Sequence, residues 1–125
     1  VGVDVVPKAV GNWSLLNFGN SVNLELDFTD SLADGDSVAP GVTWSCALAT
    51  GADPTPANRI LTPPAQNGNK TEQKFVALNS GSGIIIYLVG ATVATTNGES
   101  ITLWSYVPTA APGTCLPPGV FNGLC

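Results

Sequence analysis

The 125-residue chain contains no histidine and no methionine, and only four cations, Lys8, Arg59, Lys70 and Lys74, stand against nine Asp and Glu. Without histidine there is no His-based triad, no His metal site and no imidazole switch near neutral pH. Four scattered cations in a chain of net charge −5 cannot line a phosphate backbone, so nucleic acid is not an expected partner. Long apolar runs are missing as well. The longest, 84–94, is interrupted by Tyr87 and Gly90 and is far shorter than the roughly 18 residues a membrane span requires, so no membrane is expected either. Charge is scarce: 10% of residues are charged and 44% hydrophobic. A free monomer usually carries far more surface charge, which points to a subunit held in an assembly; the plainer alternative is a surface rich in Thr, Ser and Asn. The chain opens Val1-Gly2-Val3 without a charged-then-apolar leader, as expected either after removal of a leader or after loss of an initiator Met.

What is present reads as β-structure. Gly and Pro, 14 and 10 residues, interrupt nearly every helical window, and apolar residues recur at spacing two. Val22, Leu24, Leu26 and Phe28 alternate with Asn23, Glu25 and Asp27, which only a strand sorts onto a dry and a wet face. Residues 41–49 repeat the pattern, with Val42, Trp44, Cys46 and Leu48 on one side and Trp44 predicted at the core centre. Four prolines between 50 and 69 predict a long connection, with a short edge strand at 59–62. Further strands are expected at 74–78, at 84–94, where apolar residues on both faces predict a strand that is central and covered twice or covered once and docked on a partner, and at 101–107. Asn97-Gly98 predicts a hairpin with a type I′ turn. About seven short strands predict an all-β, immunoglobulin-like antiparallel β-sandwich over residues 21–108. An N-terminal arm (1–20) and an uncharged, Pro-rich C-terminal docking tail (109–125) flank it, so the fold has extended arms at both ends.

The chemistry-bearing residues are few. Cys46 falls on the apolar face beside Trp44 and reads as a small buried hydrophobe. Cys115 and Cys125 flank Pro117-Pro118-Gly119; a bridge between them would be worth about 2–3 kcal/mol in an oxidising environment, and the sequence leaves open whether it forms. Thiol catalysis lacks a histidine base. Asp27, Asp30, Asp34 and Asp36 gather around Gly35; calcium ligation and a solvated turn are the two readings, and the spacing is not that of an EF-hand. Glu25, Glu72 and Glu99 are the carboxylates available for hydrolysis, but they fall on wet faces or turn tips. Gly81-Ser82-Gly83 lacks the spacing of a nucleophile elbow. The sequons at Asn12 and Asn69 are no more than chance supplies in so Asn- and Thr-rich a chain. Trp13, Trp104 and Tyr106 read either as packing residues or as a sugar-stacking platform. No catalytic, cofactor or metal residue is assigned. The residues expected to meet a partner are Leu15, Leu16 and Phe18 near the start and Cys115, Leu116, Val120, Phe121 and Leu124 near the end.

The stretch from Asn23-Leu24-Glu25-Leu26-Asp27-Phe28 through Leu32-Ala33-Asp34-Gly35-Asp36, then Val42-Thr43-Trp44-Ser45, Tyr87-Leu88-Val89 and Val93-Ala94-Thr95-Thr96-Asn97-Gly98, resembles the small immunoglobulin-like virion proteins of tailed bacteriophages, the fibre-tail adaptors. The likeness spans roughly residues 21–107 and brings no catalytic residue with it. It implies a non-enzymatic β-sandwich, assembled in the bacterial host cytoplasm into a virion and attaching to tail, fibre or capsid subunits by surface complementarity, oligomeric in that assembly. The Pro-rich connection and the Cys-bearing tail depart from the pattern, so a capsid decoration protein fits equally. From other classes, a secreted glycan-binding module and, more remotely, a small hydrolase are the rivals. Removal of the last eleven residues is expected to abolish incorporation and leave the domain folded.

Overall fold

The computed structural model describes residues 8–13, 15–81 and 83–111. Its strands are β1 (Lys8–Asn12), β2 (Leu16–Asn17), β3 (Ser21–Asp27), β4 (Val38–Thr50), β5 (Ala65–Asn67), β6 (Lys70–Val76), β7 (Ile85–Thr95) and β8 (Ser100–Ala110). They form two sheets. In the larger, β8, β7 and β4 run side by side with β1 and β2 in tandem along the far edge of β8; the smaller has the order β3-β6-β5. All pairing is antiparallel except that β1 and β2 run parallel to β8. This is an immunoglobulin-like sandwich, with β3-β6-β5 facing β4-β7-β8.

The alternating residues do what their period demands. Leu24, Leu26 and Phe28 on β3 are buried while Asn23, Glu25 and Asp27 are exposed. Ile85, Tyr87, Val89, Ala91 and Val93 on β7 and Ile101, Leu103 and Val107 on β8 meet Phe75 from the opposite sheet. The Phe75 and Tyr87 rings pack edge to face with centroids 5.2 Å apart. Burying each such side chain stabilises the fold by about 2–3 kcal/mol. Trp44 lies in this core but not at its centre; the fully enclosed large side chains are Tyr87, Phe28 and Phe75. Its indole N–H instead ties the sheets together, donating to Thr71 Oγ1 at 2.9 Å, while the Thr71 hydroxyl donates to the Ala65 carbonyl at 3.0 Å.

Several local expectations change. The edge strand expected at 59–62 is a 3-10 turn, Pro56–Ile60, and the edge strand is β5, Ala65–Asn67. Asp53 accepts a hydrogen bond from the Thr55 N–H at 2.9 Å, and Pro56 then starts the turn with its φ already set. The strand expected at 74–78 is β6, which begins at Lys70, where Lys70 pairs with Asp27. The hairpin at Asn97-Gly98 is present, but no non-glycine residue among the described ones has positive φ, Asn97 included, so it is not a type I′ turn. Gly98 N–H donates to the Thr95 carbonyl at 3.0 Å and Thr95 N–H to the Glu99 carbonyl at 2.8 Å. Three loop residues therefore make a type I turn closed by Gly98 at φ 87°.

In the described part of the N-terminal arm, residues 8–13 and 15–20, the strands β1 and β2 lie along β8. It crosses between sheets at Phe18–Asn20: Phe18 N–H donates to the Ala110 carbonyl at 3.0 Å, and Ala77 N–H to the Asn20 carbonyl at 3.0 Å. Strand β8 reaches Ala110, so the first two residues of the expected tail belong to the larger sheet, and both are fully buried.

Candidate functional site

Strands β4, β7 and β8 carry one set of side chains into the core and the other onto the outer face of the larger sheet. Their registers build that face in rows: Thr43-Thr92-Thr102, Ser45-Gly90-Trp104 and Ala47-Leu88-Tyr106. No charged residue stands in any row. The Thr92 and Thr102 hydroxyls lie 2.8 Å apart, and the Trp104 and Tyr106 rings meet edge to face at 5.6 Å. Both rings are half-buried. At the end of the face, Ile86 is covered by Leu15, Ile84 and Tyr106.

The outer face of the smaller sheet is the opposite in character. Its cross-strand pairs are Asn23-Lys74, Glu25-Glu72 and Asp27-Lys70, all exposed. Two like charges, Glu25 and Glu72, sit directly opposite each other, an arrangement that costs stability and is eased by the neighbouring lysines. The domain thus has one charged and one uncharged broad side.

The acidic cluster expected around Gly35 is used by the backbone. Asp27 accepts from the Thr29 hydroxyl at 2.6 Å and the Thr29 N–H at 2.9 Å, which hold its carboxyl below the usual range. Asp36 accepts from Ser37 N–H at 2.8 Å, the Thr96 hydroxyl at 2.8 Å and Asn97 N–H at 3.1 Å, pinning the β7–β8 hairpin to the β3–β4 loop. Asp36 N–H reaches back to the Ala33 carbonyl at 3.0 Å across Gly35, whose φ is 77°. Among the described residues no cluster of three or more Asp, Glu, Cys or His could hold a metal ion. No helix among them is long and apolar enough to cross a membrane.

The three aromatic residues considered as a platform are not brought together. Trp104 and Tyr106 share the outer face, whereas Trp13 packs against the main core. Leu16 and Phe18 also pack on that core, and Leu15 on the Ile86 cluster. The Phe18 ring rests over Gly81, where a Cβ would come within 2.7 Å of it. Cys115, Leu116, Val120, Phe121, Leu124 and Cys125 lie outside the described residues, as does Ser82. Cys46 is a free, buried thiol, as its position on the apolar face predicts; burial, then the nearby Asp53 charge, push it up to about 12.

Composition and spacing did not single out a buried polar knot at the other end of β4. The Tyr87 hydroxyl donates to Asp53 Oδ2 at 2.7 Å, and Arg59 Nε stands 3.6 Å from the same oxygen. The Asp53 side chain is fully enclosed. Burial by itself would raise its carboxyl, but the bonds from Tyr87 and Thr55 and the Arg59 charge hold it below the ordinary carboxylate value. Burial and the Asp53 carboxylate drive the Tyr87 phenol upward. The available signal was Tyr87 itself: a tyrosine within an apolar strand needs a partner for its hydroxyl, though the alternation does not say which. The knot fastens the 51–64 connection to β7.

No protein-family model matches the chain, and no curated protein matches it.

Proposed function

We propose that this chain is a non-enzymatic structural subunit of a bacteriophage virion, joining tail to fibre or decorating the capsid, and that the outer face of β4, β7 and β8 is the surface it applies to a neighbouring virion protein. One observation carries the reading: apart from Lys8 on the edge strand β1, described charge sorts to the β3-β6-β5 side and the loops, leaving Thr43, Ser45, Ala47, Leu88, Thr92, Trp104 and Tyr106 as a continuous face with no charged side chain. A neighbour can cover such a face without stripping water from an ion, which is the costly part of burying a polar surface. Paired aromatic rings at its centre supply the large, rigid contact area that interfaces favour. The resemblance over residues 21–107 supplies the virion context.

Mass spectrometry of purified particles is the test. The chain is expected at stoichiometric copy number. Leu88→Asp, which sets a charge in the middle of the face, is expected to leave a folded chain in the lysate and abolish incorporation. Recovery of the native chain only outside particles overturns the virion reading. Normal incorporation of Leu88→Asp overturns the assignment of the face.

A further inference from the structure

A sandwich of two open sheets has four edges, and an unpaired edge strand is a template for another strand unless it is short, charged, bulged or covered. Three of the edges are blunted. β3 carries Glu25 and Asp27 along seven residues, β5 is only three residues long, and the β1/β2 edge is split into pieces of five and two residues with a register shift between Ala9 and Asn12. The fourth, β4, is different. It runs for 13 residues, Val38–Thr50, without one charged side chain.

Among the described residues, hydrogen bonds from outside β7 protect only the beginning of that edge; the 3-10 turn Pro56–Ile60 also packs beside β4 but forms no ladder with it. Asn69 Oδ1 accepts from Val38 N–H at 3.0 Å, Gln66 Nε2 donates to the Ala39 carbonyl at 3.2 Å, and Pro40 has no N–H to offer. Beyond Pro40, among the described residues, no backbone hydrogen bond links β4 to any segment other than β7. The register with β7 shifts between Val38 and Val42 and again between Leu48 and Thr50, so the seven residues Val42–Leu48 form an uninterrupted, regular ladder framed by two irregularities. Thr43, Ser45 and Ala47 on its outer side are small and exposed.

We propose that the β4 edge pairs with the β4 edge of a second copy of this chain, antiparallel about a two-fold axis, joining the two larger sheets into one. Identical strands paired this way are self-complementary: Ser45 faces Ser45 of the other copy, Thr43 faces Ala47, and Val42 faces Leu48. Charge favours this route of approach. Each copy carries a net charge of −5, and the described exposed carboxylates lie on β3, β6 and the loops, so the β4 edge is where two copies meet without opposing ions. Seven residues make a ladder only about 24 Å long on a sandwich about 10 Å thick, less than the roughly 800 Å² per partner of a standard stable interface. The dimer is accordingly concentration-dependent. The inference rests on the edge alone and does not require the virion reading.

The test is sedimentation equilibrium of the full chain under reducing conditions, from about 10 µM to about 1 mM, the range in which so small an interface is expected to associate. The weight-average mass is expected to rise towards twice the monomer value, with amide exchange slowing at the upper concentration within 41–50 and nowhere else. Ser45→Lys places two ammonium groups opposite each other on an exposed position and is expected to hold the chain monomeric with unchanged thermal stability. Thr92→Lys, which charges the face but not the edge, is expected to dimerise as the native chain does. A native chain that is monomeric at the upper concentration overturns the proposal, as does a Ser45→Lys variant that still dimerises. Protection appearing on β7 and β8 instead of β4 overturns it in favour of face-to-face packing. A native chain that dimerises in this way but is recovered only outside particles overturns the virion reading and leaves the dimer standing.

Discussion

Gly90 and Trp104 are cross-strand partners brought so close that residue 90 has no room for a side chain. A Cβ built at Gly90 would stand 2.7 Å from the Trp104 Cβ and 2.7 Å from the Leu103 carbonyl oxygen. The glycine lets β8 approach β7 and seats Trp104 on the uncharged face between Ser45 and Tyr106. A strand glycine ordinarily weakens a sheet, so its presence within the longest apolar run has this packing reason.

Gly90→Ala is therefore expected to destabilise the fold by about 1–3 kcal/mol, although alanine suits a strand backbone better than glycine. Urea unfolding measures the loss, and the Trp104 contribution to fluorescence should shift with it. Adding Trp104→Gly should recover part of the loss only, because the Leu103 carbonyl remains in the way. An unchanged midpoint for Gly90→Ala would show that the strands can separate without cost.

Tyr87→Phe removes a 2.7 Å hydrogen bond to an enclosed carboxylate and leaves Asp53 under-satisfied. The expected cost is about 1.5–3 kcal/mol. Asp53→Ala should cost more, about 3–5 kcal/mol, since it strands Arg59 against the interior. Amide exchange should then speed up through the 51–64 connection while β3 and β6 remain protected.

Stability should fall in acid for a specific reason. The Asp53 carboxyl is held below its ordinary value of 3.8, so its contribution is complete above that pH and disappears as pH drops through the lower folded value. Asp27 acts in the same direction through Thr29, at an exposed site where solvent weakens the effect. Urea midpoints from pH 7 down to about 2 should decline in that window, and Asp53→Asn should flatten the decline. An Asp53→Asn chain with the native acid slope would remove Asp53 from the account.

Cys46 should resist thiol reagents. With its thiol pushed up to about 12 and its side chain enclosed, almost no thiolate exists at pH 8. In a chain with Cys115→Ser and Cys125→Ser, labelling should be absent in buffer and rapid in denaturant. Fast labelling of the native protein would show that the core opens at β4.

Much of the sandwich could be read directly. Val22–Phe28 and Ile101–Val107 alternate so cleanly that strand and face follow from spacing, and Leu24, Leu26, Phe28, Ile101, Leu103 and Val107 are buried as that spacing predicts; Val22 and Leu48, assigned to dry faces by the same rule, are exposed because they lie near strand ends, beyond the cover of the opposite sheet. The turn at Asn97-Gly98 was legible as a turn. Its type depended on a three-residue loop, set by pairing of Thr95 with Glu99 rather than by the dipeptide. The 50–69 connection was legible only as proline-rich. Asp53, which accepts from the Thr55 N–H ahead of its 3-10 turn, is held by Tyr87, 34 residues away in sequence, and the true edge strand is set by pairing with β6.

Period-two alternation, scarce charge and the lack of histidine, all local or additive properties, determined by themselves that this chain is an all-β sandwich without imidazole chemistry. Pairing of distant strands decided the rest: that β4 lies at an edge and β7 inside the sheet, that the outward sides of β4, β7 and β8 form one uncharged face, and that Asp53, Arg59 and Tyr87 share an enclosed site. The physical reason is that a strand's own residues specify its two faces, whereas its neighbours are selected by the free energy of the whole core, which no single segment contains.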